Sequence, residues 1–223
     1  MTTTRCYSQE DPLGKRRLQR LHSAVMRRVR ARPREATSRA VVGVISDTHG
    51  LLRPEAVTAL AGVDVIVHAG DVGSAAILDE LGKIAPVIAV RGNNDRGAWA
   101  ASIPEIVTTE VGGVRLCVIH DLKTLRGDPA SQGVDVLISG HSHRPSIERR
   151  EHLLLLNPGS AGPRRFTLPI AVARLYVEPA GPRAEIVELA AAPGPARRGR
   201  GPRRRGLDGA RGPGAVSPRG GVG

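Results

Sequence analysis

The sequence predicts an α/β domain in which two β-sheets pack together and helices flank them. Two observations lead to this prediction. Strands and helices alternate in the first part of the domain, which is typical of parallel strands joined by right-handed crossovers. About ten strand patterns then fall within roughly 150 residues, more than one open sheet with helices on both faces normally holds.

Buried strands alternate with short helices in the first half of the domain. Continuous apolar runs mark the strands, because a strand covered on both faces lacks polar alternation. The predicted elements, in order, are strand 41–46, helix 54–60, strand 64–69, helix 74–81 and strand 86–90. The segment 93–104 has little periodicity and is predicted to be a loop.

The second half of the domain is predicted to be mostly β-structure. Gly112 and Gly113 separate two strand patterns, which indicates a hairpin. The predicted strands are 106–111, 114–119, 136–139, 146–150, 153–156, 171–177 and 184–188. Few helical patterns lie between them, so a second sheet packed on the first is expected.

The positive charge of the chain lies at its ends. The 223 residues carry a formal net charge of +12, which by itself suggests a nucleic-acid binder. Residues 1–40 account for +8 and residues 191–223 for +7, so residues 41–190 carry −3. We therefore expect a basic, largely disordered extension over 1–40, one domain over 41–190, and a disordered Arg/Gly/Pro-rich tail over 191–223.

The expected location is the cytoplasm. Cys6 and Cys117 have no partner at metal-binding spacing and fit a reducing compartment. No apolar run approaches the roughly 20 residues of a membrane helix, and the N-terminus lacks the apolar core of a secretory signal.

The basic N-terminal extension contains an amphipathic helical pattern. Leu18, Leu21 and Val25 recur at helical spacing amid arginines, a pattern that suits an anionic lipid surface, nucleic acid or a transit peptide.

Polar clusters follow the predicted strands at their carboxyl ends, where α/β sheets bind ligands. The clusters are Ser46-Asp47-Thr48-His49, His68-Ala69-Gly70-Asp71, Gly92-Asn93-Asn94-Asp95, His120-Asp121 and Gly140-His141-Ser142-His143. Each alone has an ordinary explanation, such as a turn, a cap or a buried histidine. Together they supply oxygen and nitrogen donors without thiolate, enough for two divalent Mn, Fe, Zn, Co or Ni ions if one carboxylate bridges.

The ordered set Asp-x-His, Gly-Asp, Gly-Asn, His and Gly-His-x-His resembles the calcineurin-like metallophosphoesterase superfamily. Within it, the chain is similar to the small bacterial and archaeal phosphodiesterase branch, which also contains the retromer subunit of the same fold. The motifs and the following Asn157-Pro158-Gly159-Ser160 span about residues 41 to 189. The resemblance implies a four-layer αββα sandwich.

The resemblance also implies a dinuclear metal site, with manganese as the first expectation. Asp47, His49 and His143 would hold one ion, and Asp71 would bridge to the other. The remaining ligands of that second ion would be Asn93, His120 and His141. The implied activity is phosphodiester hydrolysis by a hydroxide shared between the ions.

Two positions depart from the family pattern. Asn94 stands where many members have a histidine that acts as a general acid or phosphate contact, and Asp121 stands where glycine is frequent. An amide has no proton to give to a leaving alkoxide, so a diester with a good leaving group is the expected substrate, with Asp95 a candidate acid. Asn94 and Arg164 or Arg165 are candidate substrate contacts.

Two other functions remain as alternatives. A non-catalytic interaction module of the same fold is expected to lose ligands, whereas all seven ligand positions are filled here. An RNA-directed nuclease would use the basic ends to hold the polyanion near the site.

Overall fold

The computed structural model describes residues 39–165 and 167–189. Apart from residues 39 and 40, the predicted basic extensions lie outside this part of the chain, and the predictions about them stay predictions. The described residues form two five-stranded sheets with few helices, which confirms the predicted α/β sandwich. They contain no helix long and apolar enough to cross a membrane.

The first sheet has the order β10-β9-β1-β2-β3. Its strands are β1 (Ala40–Ile45), β2 (Val65–His68), β3 (Val87–Ala89), β9 (Ala171–Val177) and β10 (Arg183–Glu188). β1, β2 and β3 run parallel, while β9 pairs antiparallel with both β1 and β10. The register places Ile45 beside His68, so the loops that leave β1 and β2 start at the same edge.

The second sheet has the order β4-β5-β6-β8-β7. Its strands are β4 (Ile106–Val111), β5 (Val114–Ile119), β6 (Val136–Ile138), β7 (Ser146–Arg150) and β8 (Leu153–Asn157). The central three, β5, β6 and β8, are parallel, and antiparallel β4 and β7 form the edges. The carboxyl ends of β5 and β6 therefore also share one rim.

Three short helices pack on the outer face of the first sheet in the described region. They are α1 (Pro54–Ala59), α2 (Ala75–Leu81) and α3 (Ala98–Ala101). Leu60 and Leu81 are fully buried there against Ile45 and Ile66. α3 falls inside the segment predicted to be a loop, because one turn of helix is too short to show a period.

The other outer layer is built from short 3-10 helices. The outer face of the second sheet, around Cys117 and Leu137, packs against residues of a segment containing the 3-10 turns Leu122–Thr124 and Ala130–Gln132. Pro129 and the left-handed Gly133 flank the second turn, and both residue types stop an α-helix from growing. The two sheets thus lie between an outer layer of α-helices and an outer layer with 3-10 helices, in the predicted four-layer order.

The main core fills the space between the sheets. It consists of inward-facing aliphatic side chains from both, such as Val44, Leu175, Leu116 and Ile138. Leu116 and Ile138 are on neighbouring strands of the second sheet, and both have no exposed surface. This packing fixes the two sheets against each other and so sets the distance between their loops.

Replacing Ile138 with alanine should lower the free energy of unfolding by about 2–5 kcal/mol, because it leaves a cavity between the sheets. Ile106→Ala is the matched control: Ile106 lies in the same sheet but is 48% exposed, whereas Ile138 is 0% exposed. The control should change stability by less than about 1 kcal/mol. Urea denaturation measures both, and equal losses would contradict the assignment of the core.

Candidate metal centre

The seven predicted ligands lie together where strands of both sheets end. Asp47 and His49 follow β1, Asp71 follows β2 and Asn93 follows β3. From the second sheet, His120 follows β5, and His141 and His143 follow β6. A backbone hydrogen bond of 3.0 Å from Gly140 N to the carbonyl oxygen of His120 ties the last two loops together.

One group of side chains is centred on His49. Its Nε2 lies 3.4 Å from His143 Nε2, 3.8 Å from Asp47 Oδ1 and 3.9 Å from Asp71 Oδ2. Asp47, His49 and His143 each offer a ligand atom, and these atoms lie within 4.8 Å of one another. His143 Nε2 also lies 3.1 Å from Asp47 Oδ1. Asp47, His49 and His143 are the residues predicted to hold one ion, and Asp71 is the predicted bridging carboxylate.

A second group surrounds Asn93. Its Oδ1 lies 3.2 Å from His120 Nε2 and 3.0 Å from His141 Nδ1. His120 Nε2 is also 3.4 Å from Asp71 Oδ2. Asp71 thus lies between the two groups, as a bridging ligand requires.

Two buried ligand atoms show that the site suits a cation. Asp47 Oδ2 accepts hydrogen bonds from Ser46 Oγ at 2.6 Å and from the backbone N–H of His141 at 3.1 Å, whereas Asp47 Oδ1 is buried without a hydrogen-bond donor. His120 Nδ1 lies 2.7 Å from the carbonyl oxygen of Ala69, which only accepts. A ring proton is therefore held on Nδ1, and Nε2 is the nitrogen that faces the other ligands.

The backbone of the ligand loops is held in a rare conformation. Six non-glycine residues in the described region have positive φ, and five of them are predicted ligands: Asp47, His49, Asp71, His141 and His143, with φ between 46° and 66°. Each costs of order 1–3 kcal/mol and persists only where its surroundings impose it. Such concentrated strain indicates that these side chains are held for a function.

Two glycines let the loops approach closely. A Cβ on Gly92 would overlap the carboxylate and backbone nitrogen of Asp71, and a Cβ on Gly140 would overlap Ser46 Oγ. Any larger residue at either position would push a ligand loop away from its neighbour. The glycines of the Gly-Asn and Gly-His motifs are thus needed for the spacing of the ligands.

Both carboxylates are held in their ionised form. Burial by itself raises the pKa of Asp71, but contacts to His120 and Asn94 outweigh it, and its pKa lies well below its usual range. The pKa of Asp47 is also lowered, because its contact to His143 helps to outweigh burial. The centre therefore presents negative charge, which favours a divalent cation.

Asn94, which is exposed, and Asp95, which is buried, both form hydrogen bonds within the ligand loops. Asn94 donates from its backbone nitrogen to Asp71 Oδ1 at 2.8 Å and from Nδ2 to Asp71 Oδ2 at 2.6 Å. Asp95 accepts from the backbone N–H groups of Gly73 at 2.8 Å and Gly92 at 2.9 Å, one on each oxygen. This is the geometry of a carboxylate that anchors two loops.

Of the two candidate arginines, it is Arg165 whose side chain reaches the site. Its Nη2 lies 3.4 Å from His49 Nε2, and its charge, after burial, adds to the lowering of the pKa of His49. Arg53 Nε donates to the carbonyl oxygen of Gly162 at 3.1 Å, which ties the preceding part of this loop to the domain. Arg164 is exposed in the same loop.

His68 is not a predicted ligand but connects the loops that follow β1 and β2 through hydrogen bonds. The backbone N–H of Gly70 donates to His68 Nδ1 at 3.2 Å, so the ring proton lies on Nε2. Thr48 donates its hydroxyl proton to the carbonyl oxygen of Val72 at 2.9 Å and therefore accepts from His68 Nε2, also at 2.9 Å. His68 is not among the seven predicted ligands, and no sequence pattern indicated Thr48 as its partner.

Asn157 orders the histidine loop of the second sheet. Its Nδ2 donates to the carbonyl oxygen of Gly140 at 2.7 Å and to Ser142 Oγ at 3.1 Å. Its Oδ1 accepts from the backbone N–H of Gly159 at 2.9 Å. The Asn-Pro-Gly-Ser turn thus supports the segment that carries His141 and His143.

Residues 41–179 match the model of the calcineurin-like phosphoesterase superfamily domain. A protein named probable metallophosphoesterase from Methanothermobacter thermautotrophicus is 43% identical over 141 residues, which is 58% of this chain and 81% of that protein. One named phosphodiesterase from Methanocaldococcus jannaschii is 28% identical over 137 residues, or 53% of this chain and 82% of that protein.

A solved structure shares the fold at low identity. Vacuolar protein sorting 29 from Cryptosporidium parvum aligns with a TM-score of 0.57 and 18% identity, over 70% of this chain and all of that one. At this identity the likeness extends to the fold alone.

Replacing His68 with glutamine should flatten the acid dependence of stability in the metal-free protein. Burial lowers the pKa of His68 from 6.5 to about 4, so between these values the unfolded chain binds more protons than the folded one. Stability is therefore lost as the pH falls from 6.5 towards 4, by about 3 kcal/mol from this group. Urea unfolding at several pH values measures the slope.

The control for this change is His152→Gln, since His152 is an exposed histidine in the turn between β7 and β8. It should keep the acid dependence of the wild type. The account of His68 is wrong if the slope of the His68→Gln variant matches that of the wild type.

Proposed function

The chain belongs to the calcineurin-like phosphoesterase superfamily, and on that premise we propose that it is a phosphodiesterase that depends on two divalent metal ions. The observation that carries the proposal is the cluster of ligand side chains on left-handed backbone at the strand ends. Oxygen and nitrogen donors without thiolate suit Mn²⁺, and also Ni²⁺, Fe²⁺, Zn²⁺ or Co²⁺.

Each ligand has a proposed role. Asp47, His49 and His143 would hold one ion, and Asp71 would be shared with the other. The second ion would take Asn93, His120 and His141. When bound, the two ions supply positive charge for the phosphate oxygens and lower the pKa of the attacking water.

The protein side chains prepare the site before any substrate arrives. Asp71 is ionised, and the Ala69 carbonyl holds a proton on His120 Nδ1, so Nε2 is the nitrogen turned towards the proposed ion. Arg165, at the rim beside His49, is placed to bind a phosphate oxygen and orient the phosphoester. Asn94, the other proposed substrate contact, would have to turn its amide away from Asp71 to reach a substrate.

The groups at the centre favour diesters with good leaving groups. Asn94 has no acidic proton, and both oxygens of Asp95 accept backbone N–H bonds. A leaving group of low pKa departs without taking a proton from a side chain, so aryl or otherwise activated diesters are the proposed substrates. A relative named phosphodiesterase agrees with this substrate class.

The proposed location is the cytoplasm. The thiol of Cys117 is free and buried, which agrees with a reducing compartment. Contact with nucleic acid rests on the basic ends outside the described residues and stays a hypothesis.

The alternative function is a non-catalytic interaction module. The structural likeness to vacuolar protein sorting 29 is the observation behind it. The filled set of ligands favours the enzyme, because a module without catalysis has no need of strained histidine loops. A metal-reconstituted protein that cleaves no diester across a broad panel would favour the module.

Asp71→Ala should lower kcat/KM for bis(p-nitrophenyl) phosphate with Mn²⁺ by at least about 100-fold, because the shared carboxylate is lost. His141→Ala should also abolish most of the activity. Asp79→Ala is the control, since Asp79 is an exposed carboxylate in α2, and it should keep wild-type activity. Wild-type turnover by Asp71→Ala would refute the proposed site.

Arg165→Ala should raise KM for the same diester by at least about 10-fold, because a charge-assisted hydrogen bond to phosphate is worth roughly 1.5–3 kcal/mol. Arg164→Ala removes the same charge from the adjacent position and should have the smaller effect. Steady-state kinetics at constant ionic strength compares them. If both variants weaken binding equally, the effect is one of general charge, and the contact assigned to Arg165 is wrong.

A further inference from the structure

Asp121 has its two carboxylate oxygens in different surroundings. Oδ1 accepts a hydrogen bond of 3.0 Å from the backbone N–H of Lys123 and so caps the 3-10 turn Leu122–Thr124. Oδ2 lies 3.8 Å from Nε2 of His141. Asp121 also directly follows the ligand His120, at a position where the family resemblance leads one to expect glycine. The role of His120 as a ligand does not explain why a carboxylate rather than glycine follows it.

His141 presents its two ring nitrogens in different directions. Nδ1 lies 3.0 Å from Asn93 Oδ1, on the side of the other ligands, while Nε2 lies on the side of Asp121. The His141 ring meets the His120 ring edge-on, with centroids 5.2 Å apart. Its backbone N–H is fixed by Asp47 Oδ2, but its side chain is 40% exposed. The ring of this ligand is therefore less enclosed by packing than that of His120.

A comparison within the chain shows that capping alone does not explain Asp121. Asp128 performs the same task at the 3-10 turn Ala130–Gln132, and it uses both oxygens: Oδ1 accepts from Ala130 N at 3.0 Å and Oδ2 from Ser131 N at 3.2 Å. Asp121 uses one oxygen for its turn and directs the other towards His141. The second oxygen is thus available for a different role.

We propose that Asp121 is a positioning residue that accepts the Nε2–H of His141 and thereby presents His141 Nδ1 to the metal centre. A neutral imidazole carries one ring proton, and an acceptor beside Nε2 keeps that proton there and leaves the Nδ1 lone pair free. The 3.8 Å separation is too long for a hydrogen bond, so the proposal requires the partly exposed ring to rotate about its side-chain bonds until Nε2 reaches Asp121 Oδ2. The inference rests on the proposed role of His141 as a ligand.

The two histidines of the second ion would then be oriented by different means. The non-ligand nitrogen of His120 contacts the backbone carbonyl of Ala69, which no substitution removes. That of His141 faces a side chain, so its orientation can be tested by mutation. Loss of the Asp121 carboxylate should weaken the binding of the ion held by His141. The affinity for the ion held by Asp47, His49 and His143 should not change.

The experiment is calorimetric titration of the metal-free, full-length protein with Mn²⁺. Wild type should bind two ions, and Asp121→Asn should bind one of them about 10- to 100-fold more weakly, the usual effect of losing such a partner. The asparagine keeps an oxygen for Lys123 N, so the turn remains capped. Asp128→Asn makes the same chemical change at the other turn and should bind both ions as wild type does.

A double variant tests whether Asp121 acts through His141. Asp121→Asn combined with His141→Ala should bind Mn²⁺ no more weakly than His141→Ala alone. Without the His141 ring, Asp121 has no ligand to orient. Additive losses would show a general effect of charge and overturn the inference. Urea unfolding of the metal-free variants checks the fold, and Asp121→Ser, which also caps the turn, replaces Asp121→Asn if the latter does not fold.

The remaining outcomes separate this inference from the proposed function. Wild-type affinity in Asp121→Asn overturns the role of Asp121 and leaves the metal centre intact. If the wild-type protein takes up no Mn²⁺, both are overturned. Asp121→Glu retains a carboxylate and should recover part of the lost affinity, and a glutamate variant as weak as the asparagine variant would also count against the inference.

Discussion

The structure depends on holding two buried carboxylates, Asp47 and Asp71, close to four imidazoles. Asp47 is fully buried and Asp71 nearly so, and ions in such surroundings are costly unless they are paired or coordinated. The surrounding loops supply part of that compensation through hydrogen bonds from Ser46, Asn94 and the backbone of His141. Asp47 Oδ1 is buried and makes no hydrogen bond. A bound cation would compensate the charge on this oxygen.

The packing of the two sheets stabilises this arrangement of carboxylates and imidazoles. Parallel strands from both sheets end at one rim, and the aliphatic core between the sheets fixes the distance between the loops. The strained residues are held by contacts behind them, such as the link from His68 to Thr48 and the bonds from Asn157 to the histidine loop. Stability in the core thus offsets strain at the site, as is usual for functional centres.

Much of this could be predicted from the sequence. The strands 106–111, 146–150 and 171–177 have the predicted bounds, because strong apolar patterns and the turns between them are local. The ligand residues could be singled out because polar clusters followed buried strands, and the structure brings all seven together, while their binding to metal stays a prediction. The single-turn helix Ala98–Ala101 was missed because it is too short to show a period.

Other features depend on contacts between distant segments, which no local pattern encodes. The two oxygens of Asp95 accept hydrogen bonds from the backbone N–H groups of Gly73 and Gly92, and Gly73 lies on another loop. The choice between the adjacent Arg164 and Arg165 likewise depends on how their loop packs beside His49.

The most direct test of the central claim is electron paramagnetic resonance of the full-length protein loaded with Mn²⁺, together with a count of bound ions. If Asp71 bridges two ions, the account predicts two Mn²⁺ per chain with the spectrum of an exchange-coupled pair. Binding of a single ion, or of two ions whose spectra show no coupling, would contradict it.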